Sequence, residues 1–384
     1  MMTAFSDLHI TLEHDIDEQY QYQPGEVLRG EINVTTVRNT TIHVINITIL
    51  GEGNVAWDDP HHGTFTTHEV YMNATNAVLD ENHLKKPMNL EKGNYHFPFE
   101  YRLGDNIPSS FIGKYGSVTY ILKAVVQGEK TSDTVIATEP FLVLRRISLP
   151  DSVLNPVTDS AERRYWKLCS TGKIKAVIEM NKTGVAPGKD LLVNAQVANK
   201  SPVRITAIQA AIIMDTNYHA QNEVLNFRQI VNKRRDEYEL TNGDGRRWQN
   251  VRISVPPYIP ESNLEYSDII NLKYIFQFRV ETSGGSEIKI EIPLLIGVHS
   301  TGLPLQNGNH RNINTRWTIG GERGMPEFEH SQDYSSYESE WHGGVPELRK
   351  PDVRVNNPLF LDQNRGGLIG NPYELEEVME NTKL

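Results

Sequence analysis

Three histidines, His61, His62 and His68, sit close to Asp58 and Asp59 in the polar stretch that follows Trp57. Imidazole and carboxylate are zinc ligands, so these five could form a metal set. Adjacent histidines on a polar loop lack the second shell that orients ligands, however, and the alternative is a mobile, solvated loop. Cys169 is the one thiol in the chain. As a nucleophile it would need a partner base, and no histidine is near it in sequence; the other reading is a small buried hydrophobe. Cations cluster at Arg145-Arg146, Arg163-Arg164, Lys233-Arg234-Arg235 and Arg246-Arg247. Lys233, Arg234 and Arg235 are the candidate anion or phosphate site, able to hold phosphoinositides or phosphorylated tails through charge-assisted bonds. Solvated loop ends are the simpler account of each cluster. No nucleophile elbow, phosphate loop, spaced carboxylate pair or closed metal set is present, so an enzyme is not expected and no cofactor is assigned.

The elements that would carry these residues read as strands. Tyr95, Phe97, Phe99, Tyr101 and Leu103 occupy alternate positions, the period of a half-buried strand. Pro98 cannot donate to a ladder and places that strand at an edge or bulge. Pro108, Gly113 and Gly116 then lead into Val118, Tyr120, Leu122, Ala124 and Val126, with Ile121 and Val125 on the opposite face, the pattern of a central strand. Upstream, Phe5, Leu8, Ile10 and Leu12 open the first strand, Pro24-Gly25 makes a turn, and Ile42, Val44, Ile45, Ile47 and Ile49 form a β-branched run. Val135 to Arg146 closes the first unit.

Pro187-Gly188-Lys189 repeats Pro24-Gly25-Glu26, and the same shift of 163 residues (187 minus 24) brings Leu191 onto Leu28, Val197 onto Val34, Ile205 onto Ile42 and Ile208 onto Ile45. That period is a whole-domain duplication, far too long for a solenoid. Many short strands with Gly/Pro turns in two copies predict an all-β chain of two β-sandwiches.

These motifs carry a resemblance. Tyr22-Gln23-Pro24-Gly25-Glu26-Val27-Leu28-Arg29-Gly30, Gly51-Glu52-Gly53-Asn54-Val55-Ala56-Trp57, the FPF at Phe97–Phe99, the PSSF from Pro108 to Phe111 and GxxGxVxYxLKA from Gly113 to Ala124 closely resemble the α-arrestins, the arrestin-domain-containing proteins, in order and spacing. The resemblance covers roughly residues 5–300 and includes Pro293-Leu294-Leu295-Ile296-Gly297. It implies two tandem arrestin-like, immunoglobulin-like β-sandwiches, at 1–148 and 172–300, joined by a linker at 149–171 and followed by a disordered acidic tail at 301–384. Residues 83–94, broken by Pro87 and Gly93, do not read as the amphipathic helix of the visual and β-arrestins. The family also tends to place a cysteine where Cys169 stands, without catalysis.

The resemblance implies an arrestin-like cytosolic adaptor that binds cytoplasmic tails of membrane-protein cargo and promotes endocytic or endosomal sorting, with trafficking or ubiquitination machinery and anionic lipid as further partners. It would work in the cytoplasm, peripherally at the plasma membrane or endosomes. The alternative is a structural coat or retromer-like subunit acting by fixed assembly, which would demand a large apolar interface. Most α-arrestins carry Pro-Pro-x-Tyr for WW domains of ubiquitin ligases. This chain has none: Pro256-Pro257-Tyr258 brings the tyrosine one position early, and Asn371-Pro372-Tyr373-Glu374 falls one short of Asn-Pro-x-Tyr.

Composition fits these readings. A net charge of −11 argues against nucleic acid as the main partner. Hydrophobic content of 38% and aromatic content of 8% are low for a globule of 384 residues, so part of the chain is expected to be unfolded. A lone cysteine fits a reducing compartment. The start lacks a charged and then apolar leader, and no apolar run reaches the ~18 residues of a membrane span, so a soluble cytosolic chain is expected. Asn33, Asn39, Asn46, Asn73, Asn181 and Asn199 then read as ordinary strand and turn residues rather than glycan acceptors. After Thr301 there are 13 acidic and 8 basic side chains. There Asn371, Pro372 and Tyr373 could open a short docking helix carrying Leu375, Val378 and Met379, or a segment that folds back on the sandwiches. Asn357-Pro358-Leu359-Phe360 is a weaker linear motif.

Overall fold

Alternating apolar residues become strands wherever a second layer is available to bury one face. In the computed structural model, which describes residues 4–13, 21–80, 87–130, 133–167 and 170–298, the chain divides between Leu144 and Arg145 into two compact units. No α-helix occurs among the described residues, and a 3-10 turn covers Asp151–Leu154.

Among the described residues the first unit has ten strands: β1 (Phe5–Leu12), β2 (Gln21–Tyr22), β3 (Val27–Thr36), β4 (Thr40–Asp59), β5 (Gly63–Asp80), β6 (Met88–Leu90), β7 (Gly93–Arg102), β8 (Phe111–Ile112), β9 (Gly116–Gly128) and β10 (Thr134–Val143). One sheet runs β1-β3-β7; the other runs β2-β10-β9-β4-β5, with β6 on β4 and β8 on β9. β7 ends its sheet, which is why Pro98, opposite Glu31, is tolerated. β9 is flanked by β10 and β4, the central place its two apolar faces predict. Leu28, Ile32, Ile45, Ile49, Leu122 and Val126 are fully buried, each contributing roughly 1.5–3 kcal/mol.

The second unit has nine among the described residues: β11 (Val157–Lys167), β12 (Ser170–Met180), β13 (Gly184–Val185), β14 (Asp190–Lys200), β15 (Ile205–Ala220), β16 (Glu223–Leu240), β17 (Gly245–Ser254), β18 (Ile270–Thr282) and β19 (Glu287–Ile296). Its sheets run β11-β12-β14-β17 and β13-β19-β18-β15-β16. The duplication holds in detail. Gly25 and Gly188 take φ of +82° and +75°, and the paired positions Leu28 and Leu191, Ile42 and Ile205, and Ile45 and Ile208 are all buried. β2 lies parallel to β10, as β13 does to β19.

The PSSF motif is a clamp, and it too is duplicated. Ser110 N–H donates to Val143 O at 2.7 Å while its Oγ accepts from Val143 N–H at 2.9 Å. Tyr120 Oη–H donates to Pro108 O at 2.6 Å from inside the core. In the second unit Ser262 makes the same pair with Ile296, and Tyr274 Oη–H donates to Pro260 O at 3.0 Å. Each clamp pins an irregular crossing segment to the closing strand and pairs backbone groups outside the ladders.

Two stretches differ from the sequence expectation. Within 149–171, read as a linker, the structure places the 3-10 turn and β11, which pairs with β12 over its whole length. β11 is polar on both faces and shows no apolar alternation to betray it. The stretch after Trp57, read as a mobile loop, is a tight hairpin: β4 reaches Asp59 and β5 starts at Gly63. Trp57 stacks on Phe65 with centroids 5.3 Å apart, and Gly63 supplies the positive φ, +84°, that the turn requires.

Candidate functional site

The hairpin tip settles where the histidines go. Asp59 Oδ1 accepts from the backbone N–H groups of His61 and His62, at 2.8 and 2.9 Å, and contacts His62 Nδ1 at 2.9 Å. The His61 N–H bond, followed by that of His62, holds the Asp59 carboxyl below its ordinary range. His68 Nε2 faces Glu52 at 3.4 Å on the adjoining strand. Among the described residues no group of three or more His, Cys, Asp or Glu side chains converges as a metal set. Cys169 and the tail candidates Asn371, Pro372, Tyr373, Leu375, Val378 and Met379 lie outside the described residues.

Lys233, Arg234 and Arg235 lie on β16, opposite Ala211, Ala210 and Gln209 of β15. Strand alternation turns Arg234 away from the other two. Arg235 is gripped by Glu281 at 2.8 Å and Glu237 at 2.6 Å, and these two bonds, Glu281 first, push its guanidinium further above its already high range. Arg234 meets Asp236 at 3.4 Å and lies over the Trp248 ring, 5.9 Å from its centroid. An incoming anion would therefore compete with internal carboxylates at two of the three cations. The same sheet carries a further network: Arg228 bridges Asp215 and Glu291, both at 3.2 Å, and Lys289 reaches Glu291 at 3.0 Å. The hollow beside Arg228, Gln277 and Lys289 measures about 20 Å³, room for one water and no substrate.

What the first unit offers instead is backbone. β5 ends its sheet, bonded on one side to β4 and extending for 18 residues. Its stretch from Gly63 to Val78 contains no lysine, arginine or proline, the usual guards of an edge, and Val70 is 49% exposed. Among the described residues no further strand pairs with β5, and a terminal strand of this length can add an extended peptide.

Two sandwiches, each with its own clamp and Pro-Gly turn, match known proteins. Residues 10–149 match the family described as arrestin (or S-antigen), N-terminal domain, and residues 170–300 match arrestin (or S-antigen), C-terminal domain. The chain belongs to the arrestin-domain-containing proteins, the α-arrestins. Similar proteins include arrestin domain-containing protein 1 of Rattus norvegicus, 24% identical over 72% of this chain and 61% of that protein. Arrestin domain-containing protein 4 of Homo sapiens is 24% identical over 72% of this chain and 68% of its own length. Arrestin domain-containing protein 17 of Caenorhabditis elegans is 23% identical over 72% and 67%. The chain spans about 61% of the length of the first of these relatives. Within this α-arrestin the quoted motifs prove architectural: Pro-Gly makes the turns and PSSF the clamp. Among the described residues no helix is long and apolar enough to cross a membrane.

The second copy of the clamp, Ile259-Pro260-Glu261-Ser262, is legible beside Ile107-Pro108-Ser109-Ser110 once the shift is allowed to shrink to 152 (260 minus 108). A fixed shift of 163 conceals it, chiefly because 12 residues (81–92) separate β5 from β7 and only four (241–244) separate β16 from β17.

Proposed function

We propose that this α-arrestin is a non-enzymatic cytoplasmic adaptor that takes up extended cytoplasmic segments of membrane-protein cargo at the free edge of β5. It directs them into endocytic or endosomal sorting, at the plasma membrane or endosomes. The observation that supports this reading is the terminal position of β5: 18 residues of strand that among the described residues pair with β4 alone. Strand addition gives affinity through the main chain and leaves specificity to alternate side chains, which suits a protein serving several cargoes. Ubiquitin-ligase recruitment, where it occurs, uses a motif after Thr301 other than Pro-Pro-x-Tyr. The test is capture of membrane-protein partners by the full chain and by Val70→Lys, in which a charge is set on the edge strand without touching the core. Loss of cargo with an unchanged melting temperature supports the reading; equal capture by both proteins removes β5 from it.

A further inference from the structure

The outer face of the β11-β12-β14-β17 sheet assembles cations that are scattered in sequence. Register places Arg164 beside Lys173 and Lys173 beside Lys200, one row across three strands; the next row holds Glu162 and Lys175. Arg247 pairs with Gln196 on the adjoining strand. With strands about 4.8 Å apart, the first three cations fall within roughly 10 Å. Arg164, Lys175, Lys200 and Arg247 are exposed, and Arg164 and Lys175 act on the Glu162 carboxylate through their charge alone, without a hydrogen bond to it. Glu162, held by Lys173 at 2.7 Å, reports the local field: the Lys173 hydrogen bond first, then the charges of Lys173, Lys175 and Arg164, keep its carboxyl below the ordinary range. On the same face, two residues from Arg164, Trp166 is 78% exposed, more than any other large hydrophobic side chain in the described residues. A bare indole beside exposed cations that outnumber their one carboxylate fits a partner that is acidic and apolar at once.

We propose that the face formed by Arg164, Trp166, Lys173, Lys175 and Lys200 docks residues 371–384 of this same chain. That segment interleaves Glu374, Glu376, Glu377 and Glu380 with Leu375, Val378 and Met379, and Lys383 is its one cation. Its glutamates meet the cation rows, and Leu375 or Met379 covers the Trp166 ring, where thioether and indole attract. The reach is ample. The 72 residues from 299 to 370 span up to about 240 Å when extended, and tethering makes the encounter intramolecular. This inference is independent of the adaptor reading and concerns a different unit from the β5 edge.

Zero-length carbodiimide crosslinking of the full chain, followed by peptide mass spectrometry, tests it. Links from Glu374, Glu376, Glu377 or Glu380 to Lys173, Lys175 or Lys200 are expected. They should fall about tenfold in Arg164→Glu/Lys200→Glu, read at Lys173 and Lys175, and largely vanish at about 0.5 M salt. An equimolar mixture of ¹⁵N-labelled and unlabelled chains should give links within one isotope only; links between isotopes would assign the face to a second copy and overturn the proposal. In parallel, Trp166→Phe isolates the emission of Trp166 by difference, which should shift to the red when all four glutamates become glutamine. An unchanged difference spectrum, or links spread evenly over the lysines of both units, also overturns it. So does phosphatidylserine-vesicle binding that depends on Arg164 and Lys200 while no such links form.

Discussion

At the residue scale, Asn199 and Glu139 show how far a side chain's meaning depends on its surroundings. Asn199 opens an Asn-x-Ser triplet, yet it is fully buried at the end of β14. Its Nδ2 donates to Val203 O and Leu240 O at 2.8 and 2.9 Å, and its Oδ1 accepts from Ser201 N–H and Oγ–H. Asn199→Ala leaves two carbonyls and two donors to find new partners, at a cost of about 2–4 kcal/mol. Urea denaturation should move its midpoint down with little change in slope; a loss under 1 kcal/mol would mean that water replaces the amide. Glu139 on β10 is the opposite case. Burial drives its carboxyl up to about 7, with the His9 charge opposing. A raised carboxyl favours the folded state while protonated, so its contribution is complete below the unfolded-state value near 4.5 and is lost as pH rises through 7. Glu139→Gln cannot ionise. It should match the wild type at pH 4.5 and be more stable at pH 8 by about 1–2 kcal/mol, after discounting for partial solvation. Parallel stability curves would show that the side chain swings out to water instead.

At the element scale, strands with one buried face announce themselves and strands with none do not. β7 and β9 are legible from Tyr95–Leu103 and Val118–Val126 because each second residue enters the core. β11 is hidden, since an edge strand exposed on both sides has the composition of a linker. The same physics hid the candidate surfaces. Lys233, Arg234 and Arg235 stand out in sequence because they are adjacent, but two of them are spent on carboxylates. Arg164, Lys173 and Lys200 are far apart until register aligns them. The β5 edge is a backbone property and carries no side-chain signature at all. Natural edges are often guarded by lysine or proline, and β5 has neither from Gly63 to Val78, so a lysine at Val70 supplies what is missing. Because Val70 is half exposed, Val70→Lys should change folding stability by no more than about 0.5 kcal/mol while weakening strand addition. Circular dichroism melting and cargo capture, measured on one preparation, separate the two effects.

At the scale of the whole molecule, duplication explains why the fold is legible and the partners are not. Both units close their sheets before residue 299, β10 ending at Val143 and β19 at Ile296, and both bind their crossing segments with the same serine and tyrosine clamp. The motifs that reveal the family lie in that common core, in the turns and clamps, while the β5 edge and the cation face of β11, β12 and β14 follow no motif. The remaining 13 acidic and 8 basic side chains after Thr301 contribute to no described strand. Removing residues 301–384 should therefore leave the melting temperature within about 2 °C of the full chain, since little apolar burial is lost. Partner capture should divide: cargo stays with residues 1–300, and ubiquitin ligases disappear with the tail. A stoichiometric set of coat subunits held equally by both chains would replace the adaptor with a fixed assembly, and a melting temperature lowered by 5 °C or more would show that the tail is part of the folded core.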